Sequence, residues 1–245
     1  MKSIHLFIVM LICLSGCSKE SNTTTSNNSS GSGGSLAKFA IANNFLYVVD
    51  MYTLKCYSLS DQQSPALTKT VELNWNVETV FPYNDNLFIG TTNGMYVLSI
   101  KDPGNPEKLG QVAHLRSCDP VVANDSLAFV TLRGGTPCGP ATEGLYVYNT
   151  KDPLNPHEIK ILPISTPHGL GLRDTIVYVC RMQDGLSIIN VKKPDDPKII
   201  KTIKGYDFQD VIPNNNLLIT YVSNGLVLYD ISAPAEPQEV TRLVN

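Results

Sequence analysis

Repetition constrains this sequence more than any other feature. Five copies of one pattern, about forty residues each, fill residues 36–245. Each copy carries an aliphatic strand, at residues 54–59, 95–100, 145–150, 186–191 and 226–231, that runs into a proline-bearing turn. The prolines ending those turns are Pro65, Pro106, Pro156, Pro197 and Pro237, spaced by 41, 50, 41 and 40 residues. Gly94, Gly144, Gly185 and Gly225 stand just before the strand, with Thr53 in the first copy. Further upstream, a second apolar run opens on a turn pair: Asn43-Asn44, Asn84-Asp85, Asn124-Asp125, Arg173-Asp174 and Asn214-Asn215. Asn and Asp tolerate left-handed backbone angles and bond to their own backbone, so these pairs nucleate hairpins.

A third short strand precedes each hairpin turn and a fourth follows each proline turn. Four antiparallel strands in a forty-residue repeat is the signature of a β-propeller blade, and five copies predict an all-β, five-bladed propeller. Both faces of a blade pack on neighbours, which explains strands that are apolar on both sides. A helical solenoid would need a 3.6-residue period that is absent, and prolines this regular would break its helices. No strand is left over to complete a mixed blade, so ring closure is expected to rest on side-chain packing between the first and last blades. The turns Asp230-Ile231-Ser232-Ala233-Pro234 and Lys101-Asp102-Pro103-Gly104-Asn105-Pro106 resemble those of the LVIVD-repeat family. That resemblance covers residues 37–245 and implies a propeller without implying a particular chemistry.

Residues 1–16 read as an export signal: Lys2, then an apolar run over residues 4–14 broken only by His5. Eleven helical residues reach roughly 16 Å, too short for a hydrocarbon core of about 30 Å. Leu14-Ser15-Gly16-Cys17 resembles the lipobox of bacterial lipoproteins. The resemblance implies cleavage before Cys17, a diacylglycerol thioether on its sulfur and a further acyl chain on its amine. Residues 18–35 are Ser, Thr, Asn and Gly apart from one Lys and one Glu, the composition of a flexible tether. Ser18 in such lipoproteins is compatible with transfer to an outer membrane. The expected partner is therefore a membrane, through the anchor, in a bacterial cell envelope. A net charge of −3 argues against nucleic acid, whose phosphates demand clustered Lys and Arg.

Standard catalytic, phosphate-binding and zinc motifs are missing, and no metal or cofactor is expected. Cys56 falls on a core strand position and reads as a buried free thiol. Cys118 and Cys138 fall on one face of the ring, Cys138 within the ten-residue excess of the third copy, and are expected to form a disulfide in an oxidising envelope, with Cys180 a rival partner. Glu78, Asp119, His168 and Asp210 stand four to six residues ahead of the hairpin turns, where they would open the innermost strands and ring one mouth of the central channel. Arg133, Arg181 and Trp75 are placed to reach that rim. Asp125-Ser126-Leu127 and Asp174-Thr175-Ile176 look like the sites that some bacteria O-glycosylate, though they also suit ordinary turns.

These features point to a lipid-anchored propeller that binds an envelope protein or a glycan without catalysis. Two other classes remain open: a lactonase- or lyase-like enzyme working at the channel mouth, and a structural subunit of an envelope complex.

Overall fold

The computed structural model describes residues 34–114, 120–134 and 142–244. Twenty strands form five antiparallel sheets of four consecutive strands each. Blade one holds β1 (Phe39–Ala42), β2 (Phe45–Asp50), β3 (Thr53–Ser58) and β4 (Ala66–Glu72). Blade two holds β5 (Val77–Tyr83), β6 (Asn86–Thr91), β7 (Gly94–Ser99) and β8 (Glu107–Ala113). Blade three is β9 (Val121–Ala123), β10 (Leu127–Leu132), β11 (Gly144–Asn149) and β12 (His157–Pro163). Blade four is β13 (Leu170–Arg173), β14 (Ile176–Cys180), β15 (Leu186–Asn190) and β16 (Lys198–Ile203). Blade five is β17 (Phe208–Asn214), β18 (Leu217–Val222), β19 (Gly225–Asp230) and β20 (Gln238–Val244). This is the five-bladed, four-stranded propeller that the repeat predicts.

The turns form for the reasons their residues suggest. Asn43, Asn44, Asn84, Asp174 and Asn215 all take positive φ, between 48° and 63°. The third copy solves the problem differently. Asn124 Oδ1 accepts from the backbone N–H of Ser126 and of Leu127, at 3.0 and 2.9 Å, closing an Asx turn. Every blade also bulges at one place, where the third strand meets the fourth: Cys56/Tyr57, Val97/Leu98, Val147/Tyr148, Ile188/Ile189 and Leu228/Tyr229. A bulge adds local twist, which turns the outer edge of each blade away from its neighbours.

Alternate residues of each sheet face forward and backward, and four hydrophobic clusters fill the four joints between successive blades. Between blades one and two, Tyr47, Val49, Leu54 and Cys56 meet Leu87, Ile89, Tyr96 and Leu98. Cys56 is buried and free, as its strand position predicts. Its thiol donates to the Pro103 carbonyl at 3.2 Å, and the Tyr47 hydroxyl donates to the same oxygen at 2.8 Å. Tyr178 repeats that bond on Pro234 at 2.7 Å. The first proline of each of these two turns is thus an anchor for the preceding blade.

The end blades differ. Phe39 and Ile41, on the backward face of blade one, are 62% and 54% exposed. Leu46 and Val48, opposite them on β2, are half-buried, whereas their counterparts Leu87 and Ile89 in blade two are fully buried. On the forward face of blade five, Tyr221 is 48% exposed. Among the described residues, no cluster of buried hydrophobic side chains joins blade five to blade one. Each blade takes all four strands from one stretch of chain, and no shared sheet spans this seam.

Candidate functional site

The innermost strands β1, β5, β9, β13 and β17 surround a central channel whose two ends differ in chemistry. At the end where these strands begin, residues 34–37 cross the opening. The Ala37 carbonyl accepts from Val80 N in blade two at 2.8 Å. At the other end of the crossing, the Ser35 hydroxyl donates to Asp210 Oδ1 at 3.3 Å and accepts from Leu170 N at 2.8 Å. Ser35 is only 1% exposed. Composition places it in the flexible tether; the structure makes it the plug of the propeller. Gly34 lies so close that a β-carbon there would come within 2.5 Å of Asp210 Oδ2.

The predicted rim residues do not form one ring. Glu78 is the extra residue of a bulge between Val77 and Thr79, and His168 lies two residues ahead of β13 at the same register. In β17 the bulged residue is Gln209, so Asp210 sits one step later, level with Thr79 and Gly169. The turn of blade five is Asn215-Asn216, one residue later than the Asn pair in sequence suggests, and a one-residue step changes which way a side chain points. Asp210 occupies space that Gly169 leaves open, where a β-carbon would meet Asp210 Oδ1 at 2.2 Å. Burial raises the Asp210 carboxyl to about 6, against the opposing hydrogen bonds from Val211 N and Ser35. His168 shifts downward, first because it is buried and then because Arg133 is nearby. Its Nδ1 lies 3.1 Å from the Gln209 carbonyl.

Arg181 and Trp75 serve the framework. Arg181 donates from Nε to the Ser165 carbonyl at 3.0 Å and from Nη2 to the Ser165 hydroxyl at 2.6 Å, with Asp184 at 3.6 Å. It fixes the loop that leads from blade three into blade four. Trp75 stacks at a tilt on Tyr96, with ring centroids 4.9 Å apart, against the core of blades one and two. Cys180 is a buried free thiol pushed well upward by that burial. Asp119, Cys118, Cys138 and Cys17 lie outside the described residues.

The opposite end holds a feature that sequence reasoning missed. A cavity of about 460 Å³ is lined by Phe81 and Tyr83, residues 122–126, residues 170–172 and Asp174, and residues 211–213. Its walls come from four blades, and its mouth is made by hairpin turns whose tips, Asp125 and Asp174, are exposed. Close strand approach builds one wall. A β-carbon at Gly171 would lie 2.6 Å from Pro213 Cδ, so glycine is required for the two inner strands to meet. Asn84 Nδ2 donates to Asp125 Oδ1 at 2.9 Å across the turns of blades two and three. Burial, with the Asp125 charge alongside, shifts the Tyr83 phenol upward. The signal available in sequence was the polar turn pairs themselves, which read equally well as ordinary hairpins.

The LVIVD repeat matches residues 214–244, which are the outer three strands of blade five. The chain is a five-bladed β-propeller whose last blade carries an LVIVD repeat. No curated protein matches its sequence significantly. Among solved structures, this propeller resembles the computationally designed Ika8 protein, with TM-score 0.62 and 13% identity over 84% of this chain and 61% of that one. It also resembles a functionally unknown protein from Desulfotomaculum acetoxidans, with TM-score 0.65 and 11% identity over 83% and 67% of the two chains. A third is the periplasmic gluconolactonase PpgL of Pseudomonas aeruginosa, with TM-score 0.58 and 13% identity over 82% and 69%. The chain spans about three fifths to two thirds of the length of these structures, and the likeness is one of fold.

Proposed function

We propose that this LVIVD propeller is a non-catalytic binding module whose ligand enters the central channel at the hairpin-turn end. The observation that supports this reading is the 460 Å³ cavity, walled by four blades and open between polar turns. Cavities of roughly 300–1,000 Å³ with apolar walls and a few polar groups are the usual form of small-molecule sites. The strand-start end is plugged by residues 34–37, which leaves the other end as the entrance. Equilibrium dialysis of the domain against a small-molecule extract of its native envelope tests the reading. The domain should retain a compound that a Ser126→Trp variant, with its mouth obstructed, does not. Equal retention by both proteins would contradict it.

Anchoring completes the proposal. Acylation of Cys17 would hold the protein on an envelope membrane, most simply as an outer-membrane lipoprotein, because two or more acyl chains anchor stably where one does not. The tether leads into the plugged end of the channel, so the cavity would face away from the lipid surface. Membrane fractionation checks this. Cys17→Ser should move the protein to the soluble fraction, and retention after a high-salt wash would count against the anchor.

A further inference from the structure

We infer that the channel selects small organic cations, ammonium groups carried on a short apolar body. The inference rests on the binding reading above and specifies the ligand's charge. Its basis is the lining of the cavity. Two carboxylates, Asp125 and Asp174, stand at the mouth, and no Lys, Arg or His is among the lining residues. Asp125 is held by the neutral amide of Asn84, so its charge is oriented without being cancelled. Asp174 is shared with Arg173 at 3.5 Å, a contact at the exposed turn. Lys151 and Lys192 line a neighbouring hollow between blades three and four, which shares Asn124, Ser126 and Asp174 with the cavity.

Behind the carboxylates the walls turn apolar and aromatic. Phe81 and Tyr83 line the cavity from blade two, and Leu170, Leu172 and Ile212 line it from blades four and five. A cation over an aromatic face gains from the ring quadrupole, and low-dielectric walls focus the field of the carboxylates into the opening. An anion would meet that field with Arg173, already engaged by Asp174, as the cation beside the mouth. A neutral ligand would gain the apolar walls alone.

Three probes of one length and different charge separate these cases: 1,6-diaminohexane, 1,6-hexanediol and adipate, each titrated calorimetrically against the full propeller domain at low salt. The diamine should bind at least tenfold more tightly than the diol, with adipate showing no heat. An Asp125→Asn, Asp174→Asn double variant should bring diamine and diol together, since Asn retains the turn conformation and removes only the charge. Equal binding of diamine and diol to the unaltered protein would overturn the cation selectivity and leave the cavity as a binding site. Absence of binding by all three would overturn the inference, while the binding reading would still be decided by dialysis against the envelope extract.

Discussion

The Ser35 hydroxyl meets the Asp210 carboxylate at 3.3 Å across 175 residues of sequence, tying the segment before blade one to the inner strand of blade five. Among the described residues this pair does at the channel end what no hydrophobic cluster does along the seam. It lies at the channel end where the sequence places Glu78, His168 and Asp210. Losing it has a definite cost. Ser35→Ala removes the acceptor for Leu170 N, in a buried bond, and a donor to Asp210, in a part-buried one, and should destabilise the fold by about 1–3 kcal/mol in urea denaturation.

The Asp210 carboxyl gives the opposite sign. Its value in the fold is about 6, above the ordinary 3.8, so the folded state holds this proton more tightly than the unfolded chain. Its effect on stability therefore worsens as pH rises from about 4 to about 6, and the full penalty is present at neutral pH. At roughly 1.4 kcal/mol per pH unit the upper bound is about 3 kcal/mol. Asp210→Asn should raise stability at pH 7.5 by up to that amount and change little at pH 4. Denaturation midpoints for both proteins at the two pH values check this.

Gly171→Ala tests the wall of the cavity. The new methyl group would collide with the Pro213 ring and come within 3.1 Å of the Val211 carbonyl. Spreading the inner strands of blades four and five should cost about 1–3 kcal/mol, as overpacking does elsewhere. Thermal melting gives the loss directly. An unchanged midpoint would mean that the strands are not in the contact described.

The seam between the end blades makes a comparative prediction. Ile41→Ala and Tyr221→Ala, at exposed positions, should each cost less than about 1 kcal/mol, whereas Leu87→Ala within a filled joint should cost about 2–5 kcal/mol. Similar losses at all three positions, measured by urea unfolding, would show that the ring closes on itself.

Much of this architecture is legible in sequence, because the repeat imposes it. The proline spacing locates the blades, and the Asn and Asp pairs locate the hairpins, four of the five by positive φ. Cys56 is readable as buried because Val97, Val147, Ile188 and Leu228 occupy its position in the other copies, although Leu228, in the last blade, is only half-buried. The site was less legible for two physical reasons. Blade five turns at Asn215-Asn216, since Asn214 pairs with Leu217, so Asp210 stands one register step nearer its turn than Glu78 and His168 do. Burial of Ser35 depends on where the chain crosses the channel, which its polar neighbours in the tether conceal. The cavity is a product of four inner strands, and no single stretch of sequence carries it.

The central claim, that the channel binds its ligand at the hairpin-turn end, is tested most directly by hydrogen exchange measured with and without the native envelope extract. Protection should rise in residues 81–83, 122–126, 170–174 and 211–213, which line the cavity or adjoin its lining. Residues 35–37, at the plugged end, should not change. Protection confined to the strand-start end, around His168 and Arg133, or to the outer strands would contradict the account.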